Sequence, residues 1–227
     1  MEAMQALDAL APNTPVDTSG LYRDITDFAH DTPSWVQHLA EVWTEVGLLL
    51  FGVLFVAAWW RARRADSRLL AIAVLAPLGT AVAYVVSEVL KSLIDEERPC
   101  RAVTGATTSL VKCPAVGDWS FPSNHATIAA GAAVGLALAW RGIAWLTLPM
   151  AVLMAFSRVF VGVHYPHDVL AGLLLGALTA FLVVRLGARP LTRLVDTMRG
   201  SDTAAVRWAA GPGPAQHAAP REPSLHH

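Results

Sequence analysis

Ionisable side chains occur at three places beside long apolar stretches of this chain, and such groups are rare inside membranes unless they have a function. The first place has the pattern K-x6-R-P, the second reads P-S-N-H, and the third has the pattern S-R-x5-H-x3-D. Their members that can do chemistry are Lys91, Arg98, Ser123, Asn124, His125, Arg158, His164 and Asp168. Three cations, two histidines and one carboxylate at a single depth indicate a site that binds and transforms an anion.

The three cations suit a phosphate group. Arg98 and Arg158 each offer a planar fork that matches phosphate oxygens, and Lys91 acts as a point charge. Together they offset the negative charge on the equatorial oxygens during phosphoryl transfer. Ser123 stands where an apolar helix is expected to begin, so its hydroxyl and the backbone N–H of Asn124 can hold an anion at the positive helix end. We therefore predict that these five residues bind phosphate.

The two histidines suit covalent catalysis. His164 and Asp168 are four residues apart, so a helical turn would place them on one face, where Asp168 accepts the proton on one ring nitrogen. The other nitrogen is then free to attack phosphorus. Pro166 favours the first turn of a helix. His125 lies on another segment and can protonate the leaving group and then activate water. His167 beside Pro166 is interpreted as a turn residue.

Composition predicts the scaffold for these residues. The 227 residues are 54% hydrophobic and 15% charged, with a mean hydropathy of +0.44, whereas soluble domains carry about 25% charge. A bilayer core needs roughly 20 apolar residues per helix. Stretches that meet or approach this length run over 42–60, 69–90, 125–140, 143–161 and 169–186. The prediction is an all-α, polytopic transmembrane bundle of five spans. The net charge of −1 indicates no nucleic-acid partner.

The chain is predicted to have three parts. Residues 1–41 form an N-terminal extracytoplasmic segment, residues 42–187 form the transmembrane domain, and residues 188–227 form a polar cytoplasmic tail without ordered structure. An amphipathic helix at 34–46 would lie on the membrane surface or insert as a sixth helix. The first segment lacks the basic start of a signal peptide.

Arginines set the predicted orientation. They concentrate between the first and second spans, between the third and fourth, and after the fifth. All of these places fall on one face, which the positive-inside rule makes cytoplasmic. The protein is thus expected in the plasma membrane, with its C-terminus inside and its three motifs at the extracytoplasmic face.

Two further patterns leave alternatives open. Cys100 and Cys113 lie in one polar loop, where they form a disulfide if the compartment is oxidising or remain free thiols. Small residues recur four apart at Gly131 with Gly135 and at Gly172 with Gly176. This spacing allows close helix contact. We interpret it as packing within the bundle, with a homodimer seam as the alternative.

The three-part motif resembles that of the type 2 phosphatidic acid phosphatase superfamily, K-x6-RP, PSGH and SR-x5-H-x3-D, over about residues 42–187. The first and third parts match in full, and Asn124 replaces the glycine of the second. The resemblance implies a helical bundle with metal-independent chemistry and no cofactor. It also implies His164 as nucleophile, Asp168 as its orienting partner and His125 as general acid. The implied phosphate pocket contains Lys91, Arg98, Ser123, Asn124 and Arg158. Asn tolerates unusual backbone angles, so its backbone N–H can still serve the phosphate.

The resemblance implies a lipid phosphate as substrate. An outward-facing site suits polyprenyl diphosphate, the carrier released during bacterial wall synthesis. Phosphatidic acid, phosphatidylglycerophosphate and a polyprenyl-linked sugar phosphate are alternatives, as is transfer of phosphate between lipids. Vanadium haloperoxidases share this pocket but are soluble, which the apolar spans argue against. A non-catalytic membrane protein would not need the pair of His164 and Asp168.

Overall fold

The computed structural model describes residues 17–214, and this part of the chain is built from helices without a β-strand. The helices are α1 (Ser19–Asp31), α2 (Ser34–Ala62), α3 (Ser67–Ile94), α4 (Pro99–Ala102), α5 (Asn124–Ala139), α6 (Ala144–Phe160), α7 (Pro166–Arg199) and α8 (Ala204–Ala210). A 3-10 turn at Arg141–Ile143 joins α5 to α6. The predicted all-α class is confirmed.

Four helical stretches are long and apolar enough to cross a membrane: Ser34–Ala62, Ser67–Ala102, Arg141–Phe160 and Pro166–Arg199. They contain α2, α3, α6 and α7. The fifth predicted span corresponds to α5, which is apolar but has only 16 residues. At 1.5 Å per residue, α5 is about 24 Å long, which is less than the roughly 30 Å of a hydrocarbon core.

Small residues place the short helix α5 at the centre of the bundle. It packs against α3, α6 and α7, and most of its alanines are buried. A Cβ atom on Gly135 would lie 2.8 Å from the Cβ of Ala76, and one on Gly172 would lie 2.6 Å from the carbonyl oxygen of Ser123. Backbones approach this closely only at glycine. The glycine pairs therefore serve packing within the chain, as we interpreted them.

The N-terminal region differs from the prediction. The stretch 34–46 is not a separate surface helix but the first turns of α2, which continues to Ala62. Pro33 precedes it with an extended backbone conformation. A separate helix, α1, lies before this proline and packs on α6, and the Tyr22 hydroxyl donates to the Gly162 carbonyl at 3.0 Å. The predicted segment 1–41 is described only from residue 17 onwards.

The C-terminal region also differs, because helix continues past the predicted boundary at 188. Helix α7 runs to Arg199, and α8 follows it. Arg63 donates to the Trp208 carbonyl, and its guanidinium lies 4.6 Å from the centre of the Trp208 ring. Arg199 donates to the Ser67 hydroxyl at 2.9 Å. Arginine stacking on tryptophan thus orders a stretch whose polar composition indicated disorder. The rest of the predicted tail, 215–227, lies outside the described residues.

Candidate active site

His164, the predicted nucleophile, lies in the turn between α6 and α7 and has only 1% of its surface exposed. Gly162 makes the turn possible with a φ of 85°, where a side chain would also approach Ser109 to 3.0 Å. The expected helical face shared with Asp168 is absent because α7 begins two residues after His164. His164 and Asp168 nevertheless come into contact, through the cap of α7. Asp168 folds back to cap α7, accepting the Tyr165 backbone N–H at 2.8 Å, and the same Oδ2 lies 3.2 Å from His164 Nδ1.

Ser120 is a member of this group that the sequence did not reveal. Its fully buried hydroxyl donates to Asp168 Oδ2 at 2.5 Å and lies 3.4 Å from His164 Nδ1. Its backbone N–H donates to the Glu96 carbonyl at 2.7 Å. Its place two residues before Pro122 was the only signal in the sequence.

The opposite ring nitrogen of His164 faces a cation. Nε2 lies 3.1 Å from Arg98 Nη1, and a guanidinium can only donate a hydrogen bond. Nε2 must therefore be the unprotonated acceptor of this hydrogen bond, which leaves the proton on Nδ1 towards Asp168. Burial, followed by the charges of Arg98 and Arg158, lowers the pKa of His164 well below its usual value. The imidazole is thus neutral, and its unprotonated nitrogen Nε2 lies on the side of Arg98.

Arg98 is nearly buried and fixed by several acceptors. Nη1 donates to the Val163 carbonyl at 3.0 Å, and Nε donates to the Asp118 carbonyl at 2.7 Å. Nη2 forms an ion pair with Asp118 Oδ1 at 2.8 Å, and Lys91 Nζ lies 3.4 Å from the same oxygen. Sequence analysis did not identify Asp118. Partial burial would raise the pKa of its carboxyl, but Arg98 and Lys91 outweigh burial and lower it. A carboxylate therefore neutralises two of the predicted phosphate-binding cations.

Arg158 and Ser123 present buried groups without partners within the described residues. Arg158 Nη1 donates to the hydroxyl of fully buried Thr44 on α2 at 2.6 Å, while its Nε has no acceptor. Ser123 is fully buried, and its hydroxyl also has no partner. A buried polar group without a partner is costly. Both atoms can be satisfied by a bound anion. Thr44 is the third polar residue that the sequence did not reveal, after Ser120 and Asp118.

Asn124 opens α5 without the unusual backbone angles that we invoked for it. Asp95 is the one non-glycine residue between 17 and 214 with a positive φ. The Asn124 side chain accepts from Ser87 at 2.7 Å and donates to Glu88, both on α3. Its amide therefore fastens α5 to α3. Like other first-turn N–H groups, the Asn124 backbone N–H has no acceptor within its helix.

His125 follows on the same first turn of α5. Its electrostatic neighbours are Arg158, Lys91 and Arg98, and His164 has these same three cations as neighbours in addition to His125. The structure thus gathers the eight predicted site residues around one place. Within residues 17–214, the His125 ring forms no hydrogen bond or ion pair with another side chain.

His167 is more than the turn residue we expected. Its Nε2 lies 2.9 Å from Glu96 Oε1 and 3.3 Å from Asp168 Oδ1, and its Nδ1 lies 2.8 Å from the Thr18 hydroxyl. The ring stacks on Tyr165 with centroids 5.1 Å apart. His167 therefore links the capping carboxylate to the segment that precedes α1.

Cys100 and Cys113 are joined by a disulfide, with their Cα atoms 6.1 Å apart. The bond ties α4 to the loop that carries Asp118. Of the two alternatives that the sequence left open, the structure contains the bridge.

Fold and site together define a class: a helical protein with spans long enough to cross a membrane and a buried imidazole surrounded by buried cations. A family model, the PAP2 superfamily, matches residues 72–190, which is more than half of the chain. The chain belongs to the PAP2 superfamily.

Several known proteins are similar to this chain. An undecaprenyl-diphosphatase of Sulfolobus acidocaldarius is 39% identical over 118 residues, covering 52% of this chain and 56% of that protein. The Bacillus subtilis undecaprenyl-diphosphatase BcrC is 30% identical, covering 67% and 76%. A decaprenylphosphoryl-5-phosphoribose phosphatase of Mycobacterium tuberculosis is 32% identical, covering 63% and 72%. The match thus spans less than two thirds of the archaeal relative.

A solved structure has the same fold. It is the PAP2-type phosphatidylglycerolphosphate phosphatase of Bacillus subtilis, with a TM-score of 0.57 and 24% identity, covering 82% of this chain and 92% of that one. At this identity the similarity supports the fold and carries no argument about the substrate.

Proposed function

We propose that this membrane phosphatase hydrolyses a lipid diphosphate, a polyprenyl diphosphate, through a phosphohistidine at His164. The observation that carries the proposal is the environment of His164. Its Nδ1 faces Asp168 Oδ2 at 3.2 Å and its Nε2 faces Arg98 at 3.1 Å. Arg158 and Ser123 each have a buried group without a partner within the described residues. The charge of Arg158 acts on His164, and the Ser123 N–H donates to the Asp168 carbonyl at 3.1 Å. A neutral imidazole next to an array of cations and free donors is what attack on a phosphoryl group requires.

The reaction has two displacements. His164 Nε2 attacks the terminal phosphorus, and the bond from phosphorus to the bridging oxygen breaks. The negative charge of the bound diphosphate offsets the cations around His125 and lets its ring hold a proton, which His125 gives to the departing lipid phosphate. The positive charge that develops on His164 is stabilised by Asp168 through Nδ1–H. Water then attacks the phosphohistidine and loses its proton to His125. Inorganic phosphate leaves, and both histidines return to their initial states.

An apolar groove supports a lipid as substrate. A cavity of about 260 Å³ lies between the start of α2 and the end of α6, beside Ser157. Its walls include Leu39, Trp43, Leu153 and Phe156. Thr44, which holds Arg158, follows Trp43 directly in α2. A prenyl or acyl chain in this groove would therefore lie beside the phosphate-binding arginine.

The relatives favour prenyl substrates without deciding among them. The names of the similar proteins include undecaprenyl diphosphate and decaprenylphosphoryl-5-phosphoribose, so a polyprenyl-linked sugar phosphate is the second candidate. Phosphatidic acid, phosphatidylglycerophosphate and transfer to a lipid acceptor remain further alternatives that use the same chemistry. We also propose a plasma-membrane location with the site on the extracytoplasmic face, because the arginines concentrate at the opposite end. A homodimer is compatible with this arrangement.

Phosphate release from a panel of lipids tests the proposal. Purified protein in detergent is offered polyprenyl diphosphate, a polyprenyl-linked sugar phosphate, phosphatidic acid and phosphatidylglycerophosphate, each with EDTA. We expect the highest kcat/KM for the diphosphate. His164→Ala should abolish release, whereas His38→Ala, which changes an exposed histidine, should not.

Three outcomes would contradict parts of the proposal. Activity of His164→Ala equal to that of the wild type would reject the nucleophile. A higher kcat/KM for another lipid would reject the substrate. Loss of all activity in EDTA would reject metal-independent chemistry. Trapping acid-labile, alkali-stable phosphate on the protein after rapid quenching would separately identify the phosphohistidine.

A further inference from the structure

A second basic site lies at the end of the bundle away from His164. A cavity of about 560 Å³ opens between α3, the α5–α6 connection and α7. Four arginines line it, one from α3, one from the 3-10 turn and two from α7. They are Arg68, Arg141, Arg185 and Arg189. Side chains from three separate parts of the sequence thus converge on one space.

The remaining walls of this cavity are apolar. They are formed by Ile72, Leu138, Phe181, Val184 and Ala188. A cavity with arginines at its mouth and aliphatic or aromatic side chains along its wall matches an amphipathic ligand, with an anionic head and a hydrocarbon chain.

The arginines of the cavity are free to bind such a ligand. Within residues 17–214, none of the four forms an ion pair with a carboxylate. Asp66 and Asp196 share a neighbouring opening with Arg68, and Asp66 caps α3 by accepting the Leu69 N–H at 2.8 Å. No carboxylate lines the cavity itself. No described carboxylate therefore compensates this concentration of positive charge.

The cavity is distinct from the active site. At 1.5 Å per residue, α3 spans roughly 35 Å between Arg68 and Lys91. That separation is about the thickness of a hydrocarbon core. A phospholipid of the leaflet opposite to the active site can reach the cavity, whereas a substrate bound at His164 cannot reach both.

We propose that this cavity binds the phosphate head group of an anionic phospholipid from the arginine-rich side of the membrane. Basic pockets between transmembrane helices are suited to such head groups. Arginine forks would bind the phosphate oxygens in a bidentate manner, and one acyl chain would lie along Ile72 and Phe181. The bound lipid would join α3 to α7 at the end opposite to the active site, and so stabilise the bundle.

Thermal unfolding in detergent tests this proposal with three additives: phosphatidylglycerol, phosphatidylcholine and inorganic phosphate. The cavity variant is Arg141→Gln with Arg185→Gln. Its matched control is Arg64→Gln with Arg193→Gln, which removes the same charge from the same end without touching the cavity lining. Orthovanadate reports on the integrity of the active site in each protein.

We expect phosphatidylglycerol to raise the Tm of the wild type and of the control, and to raise that of the cavity variant by less than half as much. Phosphatidylcholine and inorganic phosphate should have little effect, and the shift caused by vanadate should be equal in all three proteins. If both double variants lost the phosphatidylglycerol-induced rise in Tm to the same extent, the proposal would be overturned in favour of diffuse surface charge. A cavity-dependent shift with inorganic phosphate would identify a site for free anions instead. No shift with phosphatidylglycerol in the wild type would also reject it.

Discussion

The two ends of this helical bundle both collect basic side chains, but they treat them in opposite ways. At the His164 end, Lys91, Arg98 and Arg158 are 7%, 3% and 6% exposed. They are fixed by a carboxylate, backbone carbonyls and a threonine hydroxyl. At the other end, Arg185 and its neighbours are exposed and have no carboxylate partners between residues 17 and 214.

This difference separates catalysis from binding. Cations held in a fixed arrangement before substrate arrives stabilise developing charge without reorganising, and burial strengthens their effect. Exposed arginines at a membrane surface give attraction and orientation, with a modest contribution from each. Under the two proposals the same residue type would therefore serve two purposes, and the surrounding structure would determine which.

The largest expected effect comes from removing one arginine at each end. Arg98→Gln should lower kcat/KM by about 10²–10³-fold, since it removes a fixed donor that faces both His164 and the phosphoryl group. Arg185→Gln should change it less than about twofold. The measurement is phosphate release from one lipid substrate in detergent, with vanadate binding as a check on folding. Comparable losses in the two variants would show that general electrostatics, not fixed geometry, accounts for activity.

Ser120→Ala should have the next largest effect. The hydroxyl donates to Asp168 Oδ2 at 2.5 Å and so helps to hold the carboxylate against His164. Its loss should lower kcat roughly tenfold and leave KM nearly unchanged, because the residue does not face the substrate. Ser92→Ala is the matched control, since Ser92 is exposed at the end of α3. A rise in KM with unchanged kcat would show that Ser120 contributes to substrate binding instead.

Substitution of Asp118 tests whether the cations of the active site are fully available to bind an anion in the free enzyme. Its Oδ1 lies 2.8 Å from Arg98 Nη2 and 3.4 Å from Lys91 Nζ, so an incoming phosphate competes with it. Asp118→Asn should lower the Ki of vanadate or inorganic phosphate several-fold, an effect of about 1 kcal/mol. Asp95→Asn, in a neighbouring part of the same opening, should not change the Ki. Weaker inhibition in Asp118→Asn would instead mean that the carboxylate positions Arg98 for binding.

How far sequence alone predicts such a site depends on the kind of contact. The eight motif residues were identifiable because their types and spacing match phosphate chemistry. The long apolar helices α2, α3, α6 and α7 followed from apolar length, whereas the predicted count of five spans is not confirmed, because α5 has only 16 residues. Ser120 and Thr44 were not identifiable from the sequence, because a single hydroxyl in a loop or an apolar span has no distinctive pattern. Asp118 was not identifiable either, because a single acid in a polar loop has no distinctive pattern. Its pairing with Arg98 depends on a loop conformation that no periodicity encodes.

The terminal regions were misjudged for related reasons. Composition predicted disorder after residue 188, but Arg63 and Arg199 bind carbonyl groups and tryptophan rings near α8. The contact of Arg63 with Trp208 joins residues 145 positions apart, and that of Arg199 with Ser67 joins residues 132 positions apart, which is beyond the reach of local patterns. The contact of His164 with Asp168 was predicted, but through a helical face that does not exist; the actual cause is the capping of α7.

The smallest expected effect concerns stability against pH. Burial and neighbouring cations lower the pKa of His164 in the folded protein well below its usual value of 6.5. The unfolded chain therefore binds a proton near pH 6.5 that the folded chain does not, so this histidine contributes stability above that pH which is lost as the pH falls. The slope for one such proton is at most about 1.4 kcal/mol per pH unit.

Replacing His164 with Gln should flatten the decrease of Tm between pH 7 and pH 5, whereas His38→Gln should leave that decrease unchanged. If His164→Gln lost stability as steeply as the wild type, His164 would have to be protonated in the folded protein. A protonated imidazole would have no lone pair on Nε2, and the buried end of the bundle would then bind phosphate by charge alone, as the exposed end is proposed to do.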